Sequence, residues 1–399
     1  MGKIENLPAN WEVKRLGECL EYEQPTKYIV KTTHYSNSYK TPVLTAGKSF
    51  ILGYTNETEG IFSKIPVIIF DDFTTATKFV DFNFKVKSSA MKILHPTEIA
   101  NIKFVYYFMQ TIQHRSDTHK RYWIGEFSKL EIPLPPLGEQ KEIVGILESR
   151  FARLDRARDL LECVKKDLKR LKQSVLKSAF NGSLLNPASF DLDSTNLDSK
   201  NLDSMGLDST NLDSTNWEIK TLGEVCESIS SNIALKDIKD KNGKYPIYGA
   251  KGIVSYVDFY KQEKECLAVL KDGAGVGRIL LLPEKSSVIG TLHYLVNNDN
   301  VYLKYLYYFM KTINFTKYIS GSAIPHIYFK DYKNEKIPLP PLKIQEKIVQ
   351  RIEHYFKVIE QVEKLVGDNL ANISKSKKSL LKSAFSGGLS QKRGVKKNA

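Results

Sequence analysis

The sequence predicts an α+β protein: two globular domains separated by two long helices that form an antiparallel coiled coil, arranged as an internal pseudo-twofold repeat. Three observations predict it. The chain is written twice, each copy switches from a mixed texture to a heptad texture at a proline-rich landmark, and 399 residues exceed one ordinary core.

The duplication rests on four landmarks in the same order. Trp11-Glu12-Val13-Lys14-Arg15-Leu16-Gly17-Glu18 returns as Trp217-Glu218-Ile219-Lys220-Thr221-Leu222-Gly223-Glu224, 206 residues on. Tyr106-Tyr107-Phe108-Met109 returns at Tyr307 to Met310. Ile132-Pro133-Leu134-Pro135-Pro136-Leu137 returns unchanged at Ile337 to Leu342, and Leu176-Lys177-Ser178-Ala179-Phe180 at Leu381 to Phe385, each 205 residues on. A period of about half the chain describes a duplicated two-part unit rather than a solenoid.

From Trp11 to about Glu131, and again from Trp217 to about Lys336, β-rich runs such as Pro66 to Phe70 and Cys266 to Leu270 are punctuated by Gly, Asn and Asp. These stretches read as globular. Phe104, Phe108 and Ile112, and likewise Tyr305, Phe309 and Ile313, recur every four residues, which predicts a buried helix face rather than an aromatic platform.

After each proline-rich landmark the period changes. Ile143, Leu147, Leu154, Ala157, Leu161, Val164, Leu168, Leu171 and Val175 follow steps of three and four, with a polar break at Arg150. The second copy offers Ile348, Ile352, Tyr355, Ile359, Val362, Val366, Ile373 and Leu380, with breaks at Asn369 and Ser376. A seam this long is a coiled-coil pattern, and prolines that cannot sit inside a helix mark where it starts. Gly182 and Gly387 stand where stop signals belong. Roughly 40 residues per helix gives about 60 Å of rod, comparable to about 18 base pairs. The two seams share one chain, so they are expected to pair with each other.

Between the repeats, Leu192-Asp193-Ser194-Thr195-Asn196 is followed by near copies beginning at Leu197, Leu202, Leu207 and Leu212. Leucines five apart make no single stripe on a helix or a strand, so a slack acidic tether is expected. The expected partition is 1–131 first globular domain, 132–182 proline-rich lead-in and first long helix, 183–216 flexible linker, 217–336 second globular domain, 337–388 lead-in and second long helix, and 389–399 basic tail.

The formal charge is +14, with 59 Lys and Arg against 45 Asp and Glu. Residues 191–216 hold six Asp against one Lys, which leaves the remainder near +19. Such a surplus points to a polyanion, and without a basic amphipathic helix or lipidation signal that polyanion is nucleic acid rather than a membrane. The longest apolar run, near Ile65 to Phe70, is too short to span a bilayer, and the expected compartment is the cytosol. Cys19, Cys163, Cys226 and Cys266 form no CxxC pair, so free thiols are expected.

Catalytic signatures fail on inspection. Ala46-Gly47-Lys48-Ser49 resembles the end of a phosphate-binding loop, but Pro42 stands where its first glycine belongs. Gly273-Ala274-Gly275-Val276-Gly277-Arg278 resembles a dinucleotide fingerprint until Arg278 replaces the last glycine. Both are read as tight loops. The Glu-x-Lys fragments Glu12-Val13-Lys14 and Glu218-Ile219-Lys220 lack an upstream acid and are read as structural.

The repeated order of Trp-Glu-x-Lys-x-Leu-Gly-Glu, globular domain, Ile-Pro-Leu-Pro-Pro-Leu, long helix and Leu-Lys-Ser-Ala-Phe-x-Gly resembles the specificity subunits of type I restriction-modification systems over nearly the whole chain. The resemblance implies two target-recognition domains, each reading one half of a bipartite site in double-stranded DNA, with no catalytic centre and no metal on this chain. It also implies partners: two modification subunits bringing S-adenosylmethionine, and restriction subunits bringing ATP and Mg. Candidate DNA contacts are Lys48, Thr75, Lys78, Arg115 and Arg121 in the first domain and Lys251, Lys271, Arg278 and His293 in the second, donors in or beside glycine-rich or polar loops. The competing readings are a non-DNA coiled-coil scaffold and a stand-alone DNA-modifying enzyme.

Overall fold

The computed structural model describes residues 7–45, 49–113, 120–185, 217–238, 242–321 and 324–390. The five-residue repeats and the basic residues after 390 fall outside them. The chain divides into two compact units, Met1–Glu162 with Gly367–Ala399, and Cys163–Val366. Each unit therefore joins one globular domain to the first part of its own long helix and the last part of the other repeat's. The linear partition expected from sequence kept each helix whole; packing instead shares each helix between units.

Unit 1 runs β1 (Glu12–Arg15), α1 (Leu16–Cys19), β2 (Leu20–Glu23), β3 (Thr41–Leu44), β4 (Ile51–Thr55), β5 (Val67–Asp71), β6 (Thr77–Val80), β7 (Lys85–Val86), β8 (Met91–Pro96), α2 (Ile102–Met109) and β9 (Glu131–Leu134), then enters the 44-residue α3 (Leu137–Phe180). Unit 2 repeats the series as β10 (Glu218–Thr221), α4 (Leu222–Val225), β11 (Cys226–Ser230), β12 (Tyr245–Gly249), β13 (Gly252–Val257), β14 (Cys266–Leu270), β15 (Ile279–Leu282), β16 (Ser287–Val288), β17 (Leu292–Asn297), α5 (Leu303–Met310), a short α6 (Phe329–Tyr332), β18 (Lys336–Leu339) and the 44-residue α7 (Leu342–Phe385). In each unit one sheet has four antiparallel strands, β2-β8-β5-β6 or β11-β17-β14-β15. A second has three, β4-β3-β7 or β13-β12-β16, with one parallel pair.

The continuous apolar runs become strands buried on both faces. Ile68 and Phe70 of β5 pack with Leu16 and the α2 residues Phe104 and Val105. Val67 and Ile69, on the opposite face, pack with Leu44, Phe62 and Phe84. Strand β14 divides in the same way, with Leu267 and Val269 toward Tyr305 of α5 and Cys266, Ala268 and Leu270 toward Val288 and Tyr294. Alternation without polar residues is what two apolar layers require. The four cysteines are unpaired; burial pushes the Cys19 thiol up to about 11 and those of Cys226 and Cys266 up to about 12.

The proline landmarks do two jobs. Their first halves are strands: Val13 lies opposite Pro133 and Ile219 opposite Pro338 in two-stranded sheets, where a proline costs no second ladder bond. Their ends stop the strand, and α3 and α7 begin directly after Pro136 and Pro341. A buried glutamine then fixes each helix to its domain. The Gln140 amide oxygen accepts from Asn101 N at 2.7 Å, and its nitrogen donates to the carbonyls of Ile99 and Pro135 at 2.9 and 2.8 Å. Gln345 repeats the arrangement with Tyr302 N, Asn300 O and Pro340 O at 2.8, 3.0 and 2.8 Å. Both side chains are fully buried, so each bond satisfies a group that water cannot reach.

Within each unit the helix parts run antiparallel. In unit 1, Lys377 pairs with Asp155 at 2.6 Å and lies over the Phe151 ring at 5.3 Å. In unit 2, Lys172 pairs with Glu363 at 2.8 Å, and Arg351 donates to Leu184 O at 2.7 Å. Val164, expected in the seam, is 40% exposed, because two helices facing each other cover a narrow stripe and leave its flanks open. Gly182 and Gly387 hold φ of 81° and 77° just past the helix ends, the left-handed conformation expected of stop signals.

The helix ends are where the repeats exchange. Phe385, closing α7, meets Phe104 and Phe108 of α2 edge-on at 5.1 and 5.2 Å. Phe180, closing α3, meets Tyr305 and Phe309 of α5 at 5.1 and 5.3 Å. Replacing Phe385 with Ala is expected to cost unit 1 about 3–5 kcal/mol. Amide hydrogen exchange should then accelerate in α2 and not in α5; equal acceleration in both would contradict the crossed docking.

Candidate nucleic-acid interface

In unit 1 the β5–β6 turn is built by two adjacent carboxylates. Asp71 accepts from Phe73 N at 2.9 Å and Thr74 N at 3.2 Å, closing the turn on itself. Thr75 sits there at φ 62°, a strained position for a β-branched residue, with its N–H donated to Asp71 O at 2.9 Å. Asp72 faces the other way: its Oδ1 accepts from Tyr122 N at 3.0 Å and Trp123 N at 2.8 Å. The exposed Arg121 directly precedes that pair and is thereby carried to the turn. Lys78, exposed on β6, holds its ammonium 5.9 Å over the Phe50 ring, which lies beside the β3–β4 connection. Thr75, Lys78 and Arg121 thus share one rim, while Lys48 and Arg115 lie outside the described residues.

Unit 2 forms the corresponding rim from a glycine loop. Gly273, Gly275 and Gly277 hold φ of 90°, 93° and 84°, so the fragment resembling a dinucleotide fingerprint is a tight loop between β14 and β15, as expected. A Cβ at Gly277 would meet Phe315 at 2.7 Å, so glycine is required there by packing as well as by φ. The exposed Arg278 closes the loop and donates to Ala250 O at 2.6 Å, which brings it beside the exposed Lys251 on the β12–β13 connection. Lys271, half-buried, accepts through its carbonyl from Ile327 N at 2.9 Å. Asp272 pairs with His326 Nδ1 at 2.7 Å and ties the loop to the segment before α6.

His293 departs from the expectation. It is the second residue of β17, is 3% exposed, and its Nε2 is hydrogen-bonded to the Tyr332 hydroxyl at 2.6 Å. A side chain in that position reaches no surface ligand, and the polar residues around it in sequence belong to the strand's flanks. Burial first, and the nearby Lys271 ammonium second, push its imidazole down to about 4. Sequence reasoning also missed Asp72, Lys92, Asp272 and His326, charged residues placed by tertiary contact rather than by any local motif.

Among the described residues, no group of three His, Cys, Asp or Glu side chains is placed to hold a metal ion, and no helix is long and apolar enough to cross a membrane. What the two rims offer is hydrogen-bond donors and positive charge on loops carried by a rigid double sheet.

The family model described as "Type I restriction modification DNA specificity domain" matches residues 8–166 and 214–366. The chain belongs to that family. The two matches begin close to Trp11 and Trp217, so both sequence repeats are specificity domains. Among curated relatives, the specificity subunit of the type I restriction enzymes EcoR124I and EcoR124II from Escherichia coli is 51% identical over 163 residues, covering 37% of this chain and 40% of that protein. The EcoBI specificity subunit of Escherichia coli is 27% identical over 277 residues, 65% of this chain and 58% of that protein. The chain thus spans about half the length of these two relatives. Among solved structures, a chain from a study of complex assembly and conformational transition in the type I restriction-modification system aligns with a TM-score of 0.68 at 21% identity, covering 96% of this chain and 99% of that one. The HsdS subunit of Thermoanaerobacter tengcongensis aligns at 0.52 and 20% identity, over 96% and 98%. These two share the α+β fold.

The neutral His293 makes unit 2 of this specificity-domain protein acid-sensitive. The unfolded chain protonates its imidazole near the usual 6.5 and the folded chain only near 4, so the unfolded state binds more protons between those values and stability falls as pH drops through them. The loss at pH 4 is on the order of 3 kcal/mol. Melting of His293→Gln should fall less steeply between pH 7 and 5 than melting of the unsubstituted chain; equal slopes would contradict the assignment.

Proposed function

We propose that this chain is the DNA-recognition subunit of a type I restriction-modification complex, in which each globular domain reads one half of a bipartite target and the paired helix parts dock two modification subunits. Restriction subunits complete the assembly. The observation that carries the reading is the repetition of one scaffold with two different rims: the landmarks and sheet topologies agree, while the segments presenting Thr75, Lys78 and Arg121 share no residue pattern with those presenting Lys251, Lys271 and Arg278. Shared scaffold with divergent loops suits two readers of different sequences.

On this reading the chain performs no catalysis. S-adenosylmethionine, ATP and Mg belong to partner subunits, and the assembly works in the cytosol. Affinity comes from cations against phosphates and is strongly salt-dependent; specificity comes from the few side chains that reach base edges.

The test uses the full chain co-purified with its modification subunits. Its affinity for target duplex should fall steeply with salt, and Lys251→Ala should weaken binding about equally across sequences while lowering the log–log salt slope by about 1. The chain alone should transfer no methyl group to DNA. Robust methyl transfer by the chain alone, or binding indifferent to both salt and sequence, would contradict the reading.

A further inference from the structure

The central sheets of the two domains match position by position, and the match exposes one corner where they differ in charge. Phe70 of β5 lies opposite Lys92 of β8, as Val269 of β14 lies opposite His293 of β17. Asp72 N donates to Ala90 O, as Lys271 N donates to Thr291 O. Tyr122 N donates to Asp72 O, as Ile327 N donates to Lys271 O. Lys92 therefore corresponds to His293, Asp72 to Lys271, and Tyr122 to Ile327. Where one domain holds an acid and a base, the other holds a base and an imidazole.

In unit 1 the corner is a buried ion pair. Asp72 and Lys92 approach at 3.5 Å with side chains 3% and 1% exposed, and Lys92 also lies over the Tyr22 ring at 5.2 Å. A buried pair of this kind gives little net stability over an apolar pair of similar volume. What apolar groups cannot do is accept hydrogen bonds. Asp72 Oδ1 takes the N–H groups of two consecutive residues, Tyr122 and Trp123, and so fixes the direction of the chain at that point. Trp123 is turned inward, 1% exposed, with its ring 5.3 Å from that of Phe70. Its counterpart in unit 2, Tyr328, has no such acceptor at the matched position, which is Lys271, and is 49% exposed.

We infer that the Asp72–Lys92 pair is a positioning device for sequence reading: it orients residues 120–123, and Arg121 with them, toward the first half-site, and its replacement by Lys271 and His293 is one reason the two domains read different bases. The inference rests on the recognition function proposed above. Asp72 touches no DNA; it acts through the segment it holds. Lys92 sets a positive charge 3.5 Å from the Asp72 carboxylate where both side chains are buried.

The experiment is selection from a duplex pool with randomised positions, using the full chain co-purified with its modification subunits. Asp72→Ala should reduce base discrimination at the first half-site about tenfold or more, the loss of about one good base contact, while discrimination at the second stays within about twofold. Asp72→Asn keeps an oxygen acceptor for both N–H groups and should retain most of the first half-site preference, whereas the near-isosteric Asp72→Leu, which fills the same space without an acceptor, should lose it; equal behaviour of the two would mark a packing role and overturn the inference. The double variant Asp72→Lys with Lys92→His transplants the corner of unit 2 and decides the matter should the alanine variant fail to fold: the first half-site preference should change and the second persist. Unaltered first half-site preference in a folded Asp72→Ala or transplanted chain, or parallel loss at both half-sites, overturns the inference while leaving the recognition reading intact. An unsubstituted complex that selects no sequence at all sinks both.

Discussion

Each long helix ends in Leu-Lys-Ser-Ala-Phe, and each of those phenylalanines packs against the repeat that did not produce it, Phe385 buried and Phe180 partly so. Phe385 completes the aromatic cluster on α2, and Phe180 completes the one on α5. The sheets cover one side of each short helix, and these rings cover aromatic surface that the sheets leave. Edge-on aromatic contacts at such spacing combine large buried area with geometric preference. The consequence is that neither sequence repeat is a compact unit by itself: a compact unit takes a globular domain from one repeat and a helix end from the other.

The same economy fixes the helix starts. Gln140 and Gln345 each bond three backbone groups through a fully buried amide, and they stand 205 residues apart, at the repeat's own offset. Lys103 with Glu148 at 2.6 Å and Lys304 with Glu353 at 2.9 Å brace the short helix against the long one in each unit. These pairs are partly exposed and weak individually. Their role is to fix register. A scaffold held this firmly leaves the loops on its rim free to differ, and they do.

The architecture was legible in sequence because it is repeated and periodic. Duplication marked two matching series of elements, prolines located the helix starts, and the heptad steps located most of the seam. Tertiary pairing was not legible. Nothing local marks Phe385 as the partner of Phe104, and the exposure of Val164 depends on how narrow a stripe two helices cover. Of the candidate contacts that the structure describes, Thr75, Lys78 and Arg121 come together in one domain and Lys251, Lys271 and Arg278 in the other. His293 does not join them, since Leu292, Tyr294 and Leu295 around it make a buried strand of what reads as a polar stretch. Asp72 and Lys92 escaped notice for the opposite reason: charged residues are read as surface unless a structure shows them paired inside.

The central claim is that two separate readers share one frame. Exchanging residues 11–131 for the corresponding domain of a related specificity subunit, then mapping methylated DNA in cells that express the hybrid with its partner subunits, tests it most directly. The account predicts that one half of the target changes and the other persists unaltered. Simultaneous change or loss of both halves, in a hybrid that folds and assembles, would contradict it.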